Sequence, residues 1–363
     1  MAQGDGIKQP ILGVVSTIVV ILLAVGVMLW FDAQTFGTWT AFIAMASVPV
    51  GIIISLLWQS NYPPPAGKLD QPLKGFFLLF FSMVIALIVA AWSLKIVGGG
   101  LKPPTPFLLM YIITTVITTV WLVVVWQCWP ISLFGKHPAW LGLGTLMFSY
   151  LVSWAIFRTF YDFSFMKGAP FYAAHLDPIG LFNAFEFLAW WVTFVTVLLL
   201  LVEFDFWPLS SIARSVPTLG KQPIFGLLGT VLSVIITHII YYFFVTMMRM
   251  DPVVFMLRTQ IVTIFGQFIM ILMFQTAPFQ TVAQPLKGFL LLIANVLLGQ
   301  VLYYPYSWLC LWITGGLPSG PPGYVFELWM APAFLGITFP LMVIYSQFFG
   351  FWPFSEPLPK QEE

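Results

Sequence analysis

Four side chains able to carry charge, Glu186, His238, Arg258 and Glu327, sit inside long apolar stretches of the sequence. An ionisable group in a hydrocarbon environment is costly and usually faces a cavity or a partner, so depth decides what each can do. At 1.5 Å per residue, Glu186 lies roughly 12 Å beyond Pro178, Arg258 roughly 9 Å beyond Pro252, and Glu327 roughly 8 Å beyond Pro322. His238, on a segment running the other way, lies roughly 22 Å from Pro223 and so roughly 8 Å from that same face. Asn183, Glu186 and Trp190 recur at spacings of three and four, which is one face of a helix. A carboxylate beside an indole face is chemistry suited to an organic cation. The expectation is a polar vestibule in the outer half of a membrane, with Glu186, Asn183, Trp190, His238, Arg258 and Glu327 as its substrate-binding residues. Similar stripes, Thr230, Ser233, Thr237 and Tyr241, then Thr259, Thr263 and Gln267, fit either the vestibule wall or hydrogen-bonded glue between helices.

The elements that must position these groups are transmembrane helices. Of 363 residues 60% are hydrophobic and 7% charged, against roughly 25% charged in a soluble domain. Ten runs are long enough to cross a hydrocarbon core about 30 Å thick: 11–31, 40–58, 75–94, 107–126, 139–157, 179–202, 224–248, 253–274, 288–312 and 324–349. They lack the strict alternation of barrel strands. The fold class expected is therefore an all-α polytopic integral membrane protein of ten transmembrane helices.

Five tandem two-helix repeats are written into these runs. Gln-Pro-x-x-Gly opens helices 1, 3, 7 and 9 (Gln9, Gln71, Gln222 and Gln284), and His137-Pro138 with Gly142 opens helix 5. The even helices leave through aromatic exits at Trp58-Gln59-Ser60, Trp126-Gln127-Cys128, Asp205-Phe206-Trp207, Phe274-Gln275-Thr276 and Phe351-Trp352-Pro353. The units run approximately 9–60, 71–132, 137–210, 222–276 and 284–355 in a single membrane domain, followed by a short polar tail, 356–363. Two helices return the chain to its starting side, so all five units share one orientation. A closed ring and a side-by-side stack both satisfy this pattern.

Eight Lys or Arg residues on the Gln-Pro side against six on the other favour a cytoplasmic N-terminus, in the inner membrane if the source is bacterial. Prolines 49, 305, 332 and 340 fall inside spans and remove backbone donors there. A net charge of +1 gives no electrostatic footprint for nucleic acid. No catalytic motif, metal-ligand spacing or cofactor fingerprint is present, so no enzyme, metal or cofactor is expected.

The reading that follows is a permease, a secondary transporter for a small polar or cationic organic solute. The alternative is a non-catalytic subunit that scaffolds a complex or binds lipid, quinone or pigment between aromatic-rich helices. Expected partners are membrane lipids, a small-molecule solute, and further copies or other membrane subunits.

Overall fold

The computed structural model describes residues 6–321 and 323–355; the expected polar tail, 356–363, lies outside them. Among the described residues ten helices are long and apolar enough to cross a membrane: α1 Ile11–Trp30, α2 Ala33–Leu57, α3 Leu73–Ile96, α4 Pro106–Val124, α5 Pro138–Phe160, α6 Ala184–Glu203, α7 Ile224–Met247, α8 Pro252–Met273, α9 Leu286–Thr314 and α10 Val325–Phe348. The chain is a polytopic integral membrane protein. Proline opens α4, α5 and α8, where its missing N–H has no helical partner to lose. Asn183 and Asp251 cap α6 and α8 by accepting from backbone N–H groups of the first turn.

The even helices form an inner layer and the odd helices an outer one. Between 56 and 78% of the most apolar window of each even helix is buried, against 22–39% for the odd helices. Around the inner layer α2 packs on α4, α4 on α6, α6 on α8, α8 on α10, and α10 back on α2, which closes a ring. Each outer helix lies in the groove between two inner ones: α5 on α2 and α4, α7 on α4 and α6, α9 on α6 and α8, α1 on α8 and α10, and α3 on α10 and α2.

The grooves are fastened by five joints of one construction. A glycine near the start of each outer helix receives the aromatic ring that ends an inner helix: Gly13 with Phe274, Gly75 with Phe349, Gly142 with Trp58, Gly226 with Trp126, and Gly288 with Phe204. A Cβ at any of these glycines would overlap the ring, so glycine is required by space. In four joints the glutamine before the proline bridges both partners. Its Oε1 accepts from the glycine N–H at 3.1–3.2 Å, and its Nε2 donates to the carbonyl preceding the aromatic residue at 2.7–2.9 Å (Gln9 to Met273, Gln71 to Phe348, Gln222 to Val125, Gln284 to Glu203). At the fifth, where histidine replaces glutamine, Trp58 Nε1 donates to Pro138 O at 2.7 Å instead.

All five exits also share a backbone. Two consecutive residues after the aromatic ring are left-handed, Gln59–Ser60, Gln127–Cys128, Asp205–Phe206, Gln275–Thr276 and Gly350–Phe351, with φ of 48–64°. Nine of these ten are not glycine, a conformation that costs about 1–2 kcal/mol each. It is held because the turn satisfies terminal carbonyls, as in Cys128 N–H to Leu122 O at 2.9 Å and Thr276 N–H to Met270 O at 2.9 Å, which otherwise have no partner at a helix end. The aromatic residue in register is Phe204 after α6 and Phe349 after α10, two residues earlier than the Phe206 and Phe351 expected from the sequence pattern.

Widened turns with i to i−5 hydrogen bonding interrupt α2, α8 and α10. In α10 one begins at Pro332, and in α2 one begins four residues after Pro49, as expected where proline withholds an N–H. At the opposite end from the joints, the connection between α5 and α6 is folded. Its short strands β1 Tyr161–Asp162 and β2 Phe182–Asn183 pair in parallel. Buried Asp177 gathers bonds from Phe163 N–H, Ile179 N–H and Tyr172 Oη.

Candidate functional site

At the joint between α6 and α9 the residue before the exit ring is Glu203, only 3% exposed. The corresponding positions at the other joints are apolar: Leu57, Val125, Met273 and Phe348. Its side chain extends from the last residue of α6 back toward the membrane interior, as helical side chains lean toward their own N-terminus. Asn295 of α9 donates through Nδ2 to both carboxylate oxygens, at 2.9 and 2.8 Å. Asn295 stands seven residues after Gly288, where the other outer helices carry Val20, Ser82, Ser149 and Ser233. Gln267 of α8 is the third member. Its amide lies against the Glu203 carboxylate and donates to Thr196 O at 3.2 Å.

Three helices thus converge on one carboxylate, and local packing fixes them there. Gly266 of α8 abuts the Asn295 carbonyl, and Gly299 of α9 abuts the Val262 carbonyl, so α8 and α9 touch backbone to backbone, the close approach small residues allow in membranes. Asn295 and Gln267 are fully buried, yet Asn295 Oδ1 and Gln267 Oε1 have no hydrogen-bond partner among the described residues. Among the described residues no cation is within ion-pair distance of Glu203; Lys287, one turn from Gln284, pairs with exposed Asp205 at 3.3 Å. The cluster is a buried carboxyl group met by amide donors, with two amide acceptors unused among the described residues. Chemically it can take up a proton or a small cation, since burying a carboxylate without an ion-pair partner is expensive.

The residues singled out in the sequence occupy the other end of the bundle. Helix α6 begins at Ala184, not near Ile179, because Asp177 and Asn183 tie the preceding segment into turns and a strand. Glu186 therefore lies in the first turn and is exposed, where the helix dipole favours a carboxylate. Asn183 is the cap of that helix. Trp190 stands in a ladder of near-parallel rings, 6.1 Å from Phe187 and 6.0 Å from Phe194. His238 and Arg258 are both exposed, and the Arg258 carbonyl accepts from Gln300 Nε2 at 3.0 Å. Glu327 is buried, accepting from Ser319 Oγ at 2.5 Å and Gly320 N–H at 3.2 Å, so its carboxylate secures the connection from α9 to α10.

Tyr324 Oη donates to Asp251 at 2.7 Å and its ring meets Phe185 at 5.6 Å. Glu186 and Asp251 both act electrostatically on Tyr241, one turn from His238. This brings the starts of α6, α8 and α10 together beside the end of α7. No hydrogen bond or ion pair joins Glu186, His238, Arg258 and Glu327 to one another among the described residues. Several hydroxyls of the polar stripes are satisfied within their own helix, Thr230 by Gly226 O, Ser233 by Gly229 O and Thr263 by Thr259 O; Thr230 also accepts from Trp121 Nε1 and Trp126 Nε1, whereas buried Thr237 Oγ1 has no partner among the described residues.

No protein-family model, no curated protein and no solved structure matches the chain.

Proposed function

We propose that the protein is a permease built from five tandem, same-facing two-helix repeats, which moves a small polar or cationic solute and uses Glu203 as its charge-bearing coupling group. One observation carries this reading: of five joints with a common construction, the α6–α9 joint alone breaks the apolar pattern, and it does so with a buried carboxylate that has no ion-pair partner among the described residues, the Lys287 ammonium acting on it only from a distance. Glu203, Gln267 and Asn295 come from units three, four and five and meet at one point. A merely structural joint has no need of them, since the other four manage with Leu57, Val125, Met273 and Phe348. Glu186 stands 17 residues from Glu203 on the same helix, roughly 25 Å away. In this reading it captures the solute at the mouth, with Asn183 shaping the turn and Trp190 offering a ring face, while His238, Arg258 and Glu327 set the charge of that end. The lysine and arginine bias favours the Glu203 end, with the N-terminus, on the cytoplasmic side.

The test is uptake into proteoliposomes of a panel of labelled amines, amino acids and polyols under imposed proton and sodium gradients. Wild-type protein accumulates at least one of them, and Glu203→Gln lowers that accumulation about tenfold or more. Failure to accumulate any, or accumulation unaltered by Glu203→Gln, overturns the proposal.

A further inference from the structure

Helices α1 and α9 both lean on α8 and leave a groove between them on the lipid side. It has a volume of about 420 Å³ and is lined by apolar side chains, among them Val25 and Leu29 of α1 and Leu302, Pro305 and Trp312 of α9. At Leu29 and Trp312 it runs into a second hollow of about 610 Å³, whose lining includes Asp32 and Thr314. Leu302 to Thr314 is twelve residues, or roughly 18 Å along the helix, slightly more than one leaflet of a core about 30 Å thick. The combined shape is an apolar slot one leaflet deep ending in a polar mouth where both helices leave the membrane. In hydrocarbon the available filler for such a slot is an acyl chain.

The mouth selects the head. Asp32 is exposed and keeps its charge, because bonds from Thr35 Oγ1 at 2.6 Å, Thr35 N–H and Gln34 N–H hold its carboxyl below the ordinary 3.8. Among the described residues no Lys or Arg lines either hollow, so an anionic phosphoglycerol head would meet an uncompensated carboxylate, whereas an ammonium would be attracted to it.

We infer that this groove holds one acyl chain of an amine-headed phospholipid of the phosphatidylethanolamine class, with its ammonium at Asp32. The inference is independent of the permease reading and concerns a different face.

The full-length protein, reconstituted in nanodiscs of equal phosphatidylethanolamine and phosphatidylglycerol and released into native mass spectrometry, provides the test. The wild type retains one phosphatidylethanolamine in preference to phosphatidylglycerol by about tenfold. Val25→Trp, which fills the slot, releases the lipid, whereas Leu23→Trp, which introduces the same side chain outside the lining, retains it. Asp32→Asn, which preserves the cap on α2, keeps a lipid bound but brings the preference to near unity. Equal retention of the two lipids by wild type, survival of the bound lipid in Val25→Trp, or an undiminished preference in Asp32→Asn each overturns the inference. Because Asp32 is exposed, its variant reports on head selection even if the filled-groove variant fails to fold.

Discussion

Asn295 is the residue at which stability and use can be separated. Changing it to alanine strips both amide bonds from a buried carboxylate, at a cost of about 1–2 kcal/mol, the upper range for a polar contact between membrane helices. The double variant Glu203→Met with Asn295→Ser restores the pattern of the neighbouring joints. It is expected to unfold within about 1 kcal/mol of wild type, since replacing a buried charge and its partner by apolar packing is often neutral, yet to be inactive in uptake. Unfolding in a denaturing detergent series, paired with the proteoliposome assay, checks both; a double variant that transports normally would remove Glu203 from the mechanism. None of this was legible at the residue scale in the sequence. Glu203 reads there as a terminal charge just past an apolar run, and Asn295 as one amide in a long apolar stretch. What distinguishes them is register, one immediately before an exit ring and the other two turns past a joint glycine, and that register needed Phe204 in place of Phe206.

Helix pairs in this bundle are spaced by glycine, and the positions differ sharply in what they tolerate. A Cβ at Gly299 collides with the Val262 carbonyl, backbone that cannot rotate away, so Gly299→Ala is expected to destabilise by about 1–3 kcal/mol. A methyl group at Gly26 would meet no atom within 4 Å, and Gly26→Ala is expected to be neutral or stabilising by up to about 1 kcal/mol. Thermal unfolding of the two variants side by side gives the contrast; equal losses would mean that α8 and α9 are not in backbone contact. The ten helices themselves were legible, because a run of about 20 apolar residues has few other uses. Their ends were less so. Residues 179–183 are apolar enough to extend α6 backward, but Asp177 and Asn183 supply local acceptors that compete with helix, the ordinary behaviour of these side chains. That shift of about five residues, roughly 7.5 Å, moves Glu186 from the bilayer interior to an exposed first turn.

Across the whole molecule, the same-facing hairpins expected from the sequence fit a ring and a stack equally well, and the sequence could not choose because every Gln-Pro opening resembles every other. The choice is made by partners: α3 seats Gly75 on Phe349 and α1 seats Gly13 on Phe274, contacts that an open stack would place at opposite ends. Gly75→Cys with Phe349→Cys, in a background of Cys128→Ser and Cys310→Ser, is therefore expected to form an intramolecular disulfide in most molecules under mild oxidation, seen as a mobility shift without dimer; no crosslink would argue for an open arrangement. Closure also imposes a timetable on synthesis. Helices α5, α7 and α9 each emerge after both of the inner helices that receive them, whereas α1 must wait for α8 and α10. At about 5–20 residues per second the 318 residues from Trp30 to Phe348 take on the order of 15–65 s to be made. For that interval the small-residue face of α1 is turned to lipid or to an insertion chaperone, and the newborn protein is a ring missing its clasp.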